Sequence, residues 1–169
     1  MRIKDVNEMS SDIFINNFKN IFEKTSSIAL SAEKMRPFTN KNQLIETFIN
    51  EFDKLTKENK MNIIRNHPDL GNRFKINNDM TEMSQNEQKN AGLDTCTEEE
   101  FMLFNQLNNE FKSKFNTPFI FAVKGQNKTL IIEEFERRLQ NDNIEEELKE
   151  SINQVKQIAN FRLNEIVDE

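Results

Sequence analysis

The chain of 169 residues has no Trp and no Tyr, a single His, a single Cys, three Gly and three Pro. Each shortage removes a class of protein. One Cys, Cys96, excludes an internal disulfide, and one Cys with one His excludes the usual zinc sites, whose ligands come largely from those two types. So few Gly and Pro leave little material for tight turns, which argues against a sandwich or barrel. Positive charge is also short: the net charge is −6, so phosphate-backbone binding, which needs clustered Lys and Arg, is not expected. No apolar run approaches the roughly 20 residues needed to cross a bilayer. Met1 to Ser10 has no apolar signal core, and the final Val167-Asp168-Glu169 is not a Ser-Lys-Leu-type peroxisomal address. The expectation is a soluble, cytoplasmic protein with neither nucleic acid nor membrane as a partner.

What is present fits a helical protein. Hydrophobic residues make up 36%, with 15 Phe carrying much of that load, and 31% of residues are charged. A chain of this length fits one domain, here 1–169, burying roughly two-thirds of its unfolded surface. Ser10 or Ser11 is placed to cap a helix carrying Phe14, Phe18, Ile21 and Phe22. Residues 25–40 are less regular, and Pro37 marks a break or a helix start. A helix from Lys41 shows Leu44, Ile45, Phe48, Ile49, Phe52 and Leu55 on one face, and a related segment holds Met61 and Ile64. Pro68 disfavours the α conformation at His67, so that segment ends just before it.

Residues 72–83 read as polar and turn-rich. Ser84-Gln85-Asn86-Glu87 has the capping-box pattern and opens a short helix closed by Gly92; Thr97-Glu98-Glu99-Glu100 repeats the pattern before a longer helix with Phe101, Phe104, Asn108, Phe111 and Phe115 in a stripe. Phe119-Ile120-Phe121-Ala122-Val123 is an apolar run with no partner strand, read as an extended buried segment. Helices follow at about 129–141 and 144–167. The fold class is all-α: a single-domain bundle of about seven to nine helices with one short extended segment.

Some residues fit this plain scheme poorly. The last helix carries Ile144, Leu148, Ile152, Val155, Ala159 and Ile166 as its apolar face, and Arg162 points within about 40° of most of that stripe. Such an Arg either snorkels to the rim or pairs with a core carboxylate, or else turns its planar fork into a pocket to hold an anion. His67 either caps the preceding helix or supplies an imidazole, whose unperturbed pKa of about 6.5 suits proton transfer in both directions. Glu87 is fully explained as the end of a capping box, with Gln88 and Ala91 on nearby turns. The remaining carboxylates, such as Glu98 to Glu100 and Glu145 to Glu147, read as solvated faces with helix-dipole benefit.

Taken in order, these pieces resemble one family. His67-Pro68-Asp69-Leu70-Gly71 and Ser84-x-x-Glu87-Gln88-x-x-Ala91-Gly92-Leu93 are similar to two signature segments of the 2-oxo-4-hydroxy-4-carboxy-5-ureidoimidazoline (OHCU) decarboxylases. Phe111-x-x-Lys114-Phe115-x-x-Pro118-Phe119-Ile120-x-Ala122-Val123-Lys124-Gly125 resembles a third. Glu136-Arg137-Arg138-Leu139-x-Asn141 and Ile158-x-x-x-Arg162-Leu163 complete the series, which covers nearly the whole chain. Two departures stand out. Lys24-Thr25-Ser26-Ser27-Ile28 replaces a His-Ser-Pro-Trp-like stretch, and Asn116 stands where a Gly is usual.

The resemblance implies a lyase acting on a small molecule of urate degradation. Its substrate, OHCU, is a five-membered ring with a hydroxyl and a carboxylate on one carbon and a ureido group on the next. Loss of carbon dioxide leaves an electron pair that the adjacent ring imine accepts, so no cofactor and no metal is expected. Protonation on one face then gives (S)-allantoin. By resemblance, His67 is the general acid/base, and Glu87 bonds to the imidazole or the substrate hydroxyl, fixing the tautomer. Arg162 neutralises an anionic or carbonyl group, and Pro68 packs against the ring. Ser84, Gln85, Asn86 and Gln88, with the main chain of Phe119, Ile120, Phe121, Ala122 and Val123, bind the ureido and ring amides. A homodimer is the common family state. The alternatives are a catalytically degenerate all-α interaction module and a decarboxylase of another cyclic ureido acid.

Overall fold

The computed structural model describes residues 1–72 and 80–168; part of the polar 72–83 stretch, Arg73 to Asp79, lies outside the described residues. Among the described residues the chain forms α1 (Ile3–Glu8), α2 (Ser11–Phe18), α3 (Ser27–Glu33), α4 (Lys41–Asp53), α5 (Lys57–Asn66), α6 (Glu82–Asn90), α7 (Glu98–Phe115), α8 (Lys128–Leu139) and α9 (Ile144–Ile166), with a 3-10 turn at Leu93–Thr95. There is no strand among them, so the all-α expectation holds. No helix is long and apolar enough to cross a membrane.

Side-chain caps set most helix starts, as the polar residues before each apolar stripe anticipate. Ser10 Oγ accepts from Ile13 N at 3.4 Å, and Asn40 Oδ1 from Gln43 N at 2.9 Å. Thr97 and Glu100 form a reciprocal capping box, with Thr97 N donating to the Glu100 carboxylate at 2.9 Å. Each such bond answers a helix N–H that has no intrahelical acceptor. Three differences concern the N-terminal part. α3 forms inside the stretch 25–40 that reads as less regular, on the buried residues Ile28, Ala29 and Ala32. α1 was not anticipated, because a six-residue helix carries one buried residue, Val6, and therefore no periodic stripe. Ile21 and Phe22 were placed on α2 but lie past its end, at Phe18; both are nonetheless buried.

The chain divides into two compact units, the first comprising residues 1–63 and 156–169 and the second residues 64–155. In the first unit, Phe14, Phe18, Phe48 and Phe52 are fully buried, with Phe14 and Phe18 ring centroids 4.6 Å apart and Phe22 stacked on Phe52 at 4.9 Å. In the second, Phe104, Phe111, Phe115, Phe119 and Phe135 pack with Leu93 and Ile131. Phe119 stacks on Phe135 at 3.6 Å and meets the edge of Phe111 at 5.3 Å. Full burial of such rings contributes roughly 2–3 kcal/mol each. This is where the absence of Trp and Tyr shows: Phe alone builds the aromatic cores, with no hydroxyl or indole N–H to satisfy.

Asn116 ends α7 in the left-handed conformation, at φ 57° and ψ 26°. That accounts for the departure at this position. The family's Gly suits φ above zero, and Asn is the L-residue that adopts it most readily.

The face of α9 is partly as expected, with Val155 and Ala159 buried. Ile144 is 60% exposed and Leu148 and Ile152 are half-buried, whereas Glu147, Ser151, Gln154, Val155, Ile158, Ala159, Arg162 and Leu163 are buried. Counting apolar residues alone leaves out the polar members of the stripe other than Arg162. Glu147, expected on a solvated face, is 2% exposed. It pairs with Arg138, itself 1% exposed, whose Nε lies 3.1 Å from Glu147 Oε1.

Candidate active site

His67 follows immediately on α5. Its N–H still donates to Ile64 O at 3.1 Å, a tightened last turn, and Pro68 then turns the chain out of the helix. The side chain is buried, at 9% exposure. The next residues fasten the loop to α6 and α7 of the same unit. Gln88 on α6 uses both ends of its amide: Oε1 accepts from Gly71 N at 3.1 Å and Nε2 donates to Asp69 O at 3.1 Å. Asn108 on α7 donates from Nδ2 to Leu70 O at 2.8 Å, and Lys112 reaches the Asp69 carboxylate at 2.7 Å.

Gly71 completes the anchor. It sits at φ 73°, and a Cβ there would lie 2.4 Å from Phe104 Cγ, so only Gly allows the loop this close to α7. His67-Pro68-Asp69-Leu70-Gly71 is thus a helix exit followed by a clamp, and each of its last three residues has a physical task. Gln88, expected to bind substrate, has its amide committed to the loop. It acts on His67's surroundings by holding Asp69 and Gly71.

α6 begins three residues before its expected start. Thr81, not Ser84, is the cap, accepting from Ser84 N at 3.3 Å. Thr81 is a simple cap with no Glu or Gln three residues on, so the Ser84–Glu87 pattern is the stronger signal in sequence. The correction matters for Glu87, which loses the capping-box explanation and sits, half-buried, inside the helix. Ser84 is buried, Gln85 Nε2 donates to Met80 O at 3.1 Å, and Asn86 is exposed. Gly92, at φ 78°, follows the helix end as expected.

The segment from Phe119 to Val123 is neither helix nor strand. Phe119, Ile120, Ala122 and Val123 are buried and Phe121 partly so. Its main chain finds partners on side chains: Arg138 Nη1 donates to Ile120 O, and Ala122 N donates to Gln154 Oε1 at 2.9 Å. Arg138 also lies 4.6 Å over the Phe119 ring. Sequence reasoning gives Arg138, quoted only within a motif, and Glu147 and Gln154 no such supporting role. The signal was the spacing Glu147, Ser151, Gln154, Ile158 and Arg162, steps of three and four residues that define one helical face.

Arg162 belongs to the other unit. It is 2% exposed and forms an ion pair with Glu23, which is fully buried, at Nη1–Oε2 3.1 Å; Nη1 also donates to Asn20 O at 2.9 Å. The pairing with a core carboxylate is therefore present. Glu23 gave no sign in the sequence, standing next to the divergent stretch Lys24 to Ile28 without a helical register to place it. Lys24 itself adopts φ 49°, an uncommon conformation for its type. Among the described residues no cluster of three or more His, Cys, Asp or Glu is placed to hold a metal ion.

Residues 7–164 match the family described as OHCU decarboxylase. The chain is 38% identical over its full length to the uric acid degradation bifunctional protein of Bacillus sp. (strain TB-90), of which it spans only 33%. It is 33% identical over 96% of its length to the 2-oxo-4-hydroxy-4-carboxy-5-ureidoimidazoline decarboxylase of Xenopus laevis, covering 93% of that protein. Among solved structures, an (S)-allantoin synthase matches 99% of this chain and 55% of its own, with TM-score 0.78 and 23% identity. An OHCU decarboxylase crystallised in the presence of (S)-allantoin matches 88% of this chain and 96% of its own, with TM-score 0.71 and 18% identity. Those two likenesses carry the fold, while the sequence match carries the kinship: the chain belongs to the OHCU decarboxylase family of carboxy-lyases.

Proposed function

We propose that this chain decarboxylates OHCU to (S)-allantoin in urate breakdown, with His67 as the general acid/base. The observation that carries the assignment of His67 is the clamp behind it. A lone histidine serving only as a helix cap needs no such anchor, yet Gln88, Asn108, Lys112 and Gly71 together fix the loop that follows. Proton transfer needs a ring held within a fraction of an ångström, and buried side-chain bonds to the loop's main chain provide that constraint. In this reading the ring takes the substrate hydroxyl proton or delivers one to the new stereocentre. Glu87, inside α6 and not at its cap, orients the imidazole or the hydroxyl, and Pro68 packs against the substrate ring.

Ser84, Gln85 and Asn86 on α6 and the main chain of Phe119 to Val123 receive the ureido and ring amides, and Arg162 neutralises an anionic group. Phe121 supports the main-chain part: among the described residues neither its N–H nor its C=O takes a hydrogen-bond partner. We treat 1–169 as one decarboxylase domain, because the family match crosses both compact units. A cytoplasmic homodimer is part of the same proposal and rests on the family resemblance.

The test uses freshly generated OHCU and follows circular dichroism. Spontaneous decay gives racemic allantoin, so a growing dichroic signal reports enzymatic, stereospecific protonation. Accelerated loss of OHCU with no chiral product would favour decarboxylation without control of the final proton, and no acceleration would remove the assignment.

A further inference from the structure

The buried polar groups of α8 and α9 in the second unit have no part in the chemistry above. Arg138 is among the most deeply buried side chains of the chain, and each of its three guanidinium nitrogens is bonded. Nε bonds both Glu147 oxygens at 3.1 and 3.2 Å, Nη2 bonds Glu147 and Ser151 Oγ, and Nη1 is left for Ile120 O. Gln154 is likewise divided, accepting from Ala122 N at 2.9 Å and donating to Glu150 Oε1 at 3.0 Å. A buried ion pair is a costly way to fill a core, since apolar residues of the same volume serve as well or better for stability. Two such side chains converging on one short stretch of main chain therefore call for another account.

Alternation supplies it. In a chain of extended pitch the main-chain groups of residues i and i+2 face one way and those of i+1 the other. Ile120 O and Ala122 N, two residues apart, are the groups that Arg138 and Gln154 hold. Phe121 lies between them, with its own N–H and C=O taking no partner among the described residues. One N–H and one C=O on a single residue are complementary to a ureido or amide group, which offers an acceptor beside a donor. We propose that Arg138 and Gln154 are positioning residues: they hold the back of the segment so that the Phe121 edge is preset for a ureido-bearing ligand. This rests on the function proposed above.

Gln154→Met keeps volume and removes the acceptor for Ala122 N–H. KM for OHCU should rise about tenfold, with kcat within about twofold, because the loss is in binding and not in proton transfer. The double variant E150Q/Q154E exchanges donor and acceptor and restores an oxygen opposite Ala122, so KM should return toward wild type. Wild-type turnover is read first; its absence would remove the proposed function, whereas normal wild-type turnover with an unchanged KM in Gln154→Met would overturn the positioning role alone. A parallel fall of kcat and stability without rescue in the double variant would also overturn it. Amide exchange on the wild type needs no variant to fold: the Ala122 amide should exchange slowly and that of Phe121 fast, with (S)-allantoin slowing Phe121 selectively. A Phe121 amide already slow without ligand would contradict the inference.

Discussion

Replacing Arg162 with leucine takes a guanidinium away from Glu23, a carboxylate with no exposed surface. Removing one member of a buried ion pair costs about 3–5 kcal/mol, because the remaining charge stays in a poorly solvating site. At this chain length each kcal/mol moves Tm by about 2–4 °C, so Arg162→Leu should lower it by roughly 6–20 °C. Removing both charges together, in E23L/R162L, should recover most of that loss, since an apolar pair of similar volume is often neutral or better. Thermal and denaturant unfolding of the wild type, both single variants and the double variant form a cycle that isolates the pair. The same four proteins separate structure from function. If Arg162 also binds an anionic substrate group, the stabilised double variant should still show a raised KM for OHCU. A single Arg162→Leu variant as stable as the wild type would refute the energetic argument. A double variant with wild-type KM would refute the anion-binding role and leave Arg162 a structural residue.

Two further expectations concern stability. Gly71→Ala places a Cβ 2.4 Å from Phe104 Cγ at φ 73°. The left-handed backbone and the overpacking together should cost about 2–5 kcal/mol and shift the urea midpoint downward; an unchanged midpoint would show that the loop does not pack on α7 as described. Lys128 and the Thr97 N–H hold the Glu100 carboxyl below its ordinary value of 4.5. A depressed pKa stabilises the fold above the unfolded value and is lost as pH falls through the folded one. Glu100→Gln should therefore flatten the decline of Tm on acidification below about pH 4.5, and an equally steep decline in both proteins would contradict this.

How far the residues alone reached depends on what each feature requires. Helices with a strong apolar stripe and a polar cap, such as α4 and α7, were legible because burial and capping act locally. The exit of the chain at His67 was equally legible, since Pro68 imposes it. Where two caps compete over a few residues the balance is tertiary: Thr81 won over Ser84 as the start of α6. The α9 face was only partly legible, because a stripe is read by counting apolar side chains and this one also includes Glu147, Ser151 and Gln154 beside Arg162. A buried charge is invisible until its partner is located. Glu23 lies 139 residues from Arg162 in sequence, and nothing local to either residue names the other. His67, Gln88 and Gly71 were each singled out, but the clamp that joins them is a relation between α6, α7 and a loop and emerges only in three dimensions.

The central claim is that His67 is the general acid/base of the proposed stereospecific decarboxylation. His67→Ala should unfold at nearly the wild-type temperature, because the anchors of its loop lie at Asp69, Leu70 and Gly71, and it should give no dichroic signal from fresh OHCU above spontaneous racemic decay. Stereospecific allantoin formation by the folded His67→Ala protein at close to the wild-type rate would contradict the account.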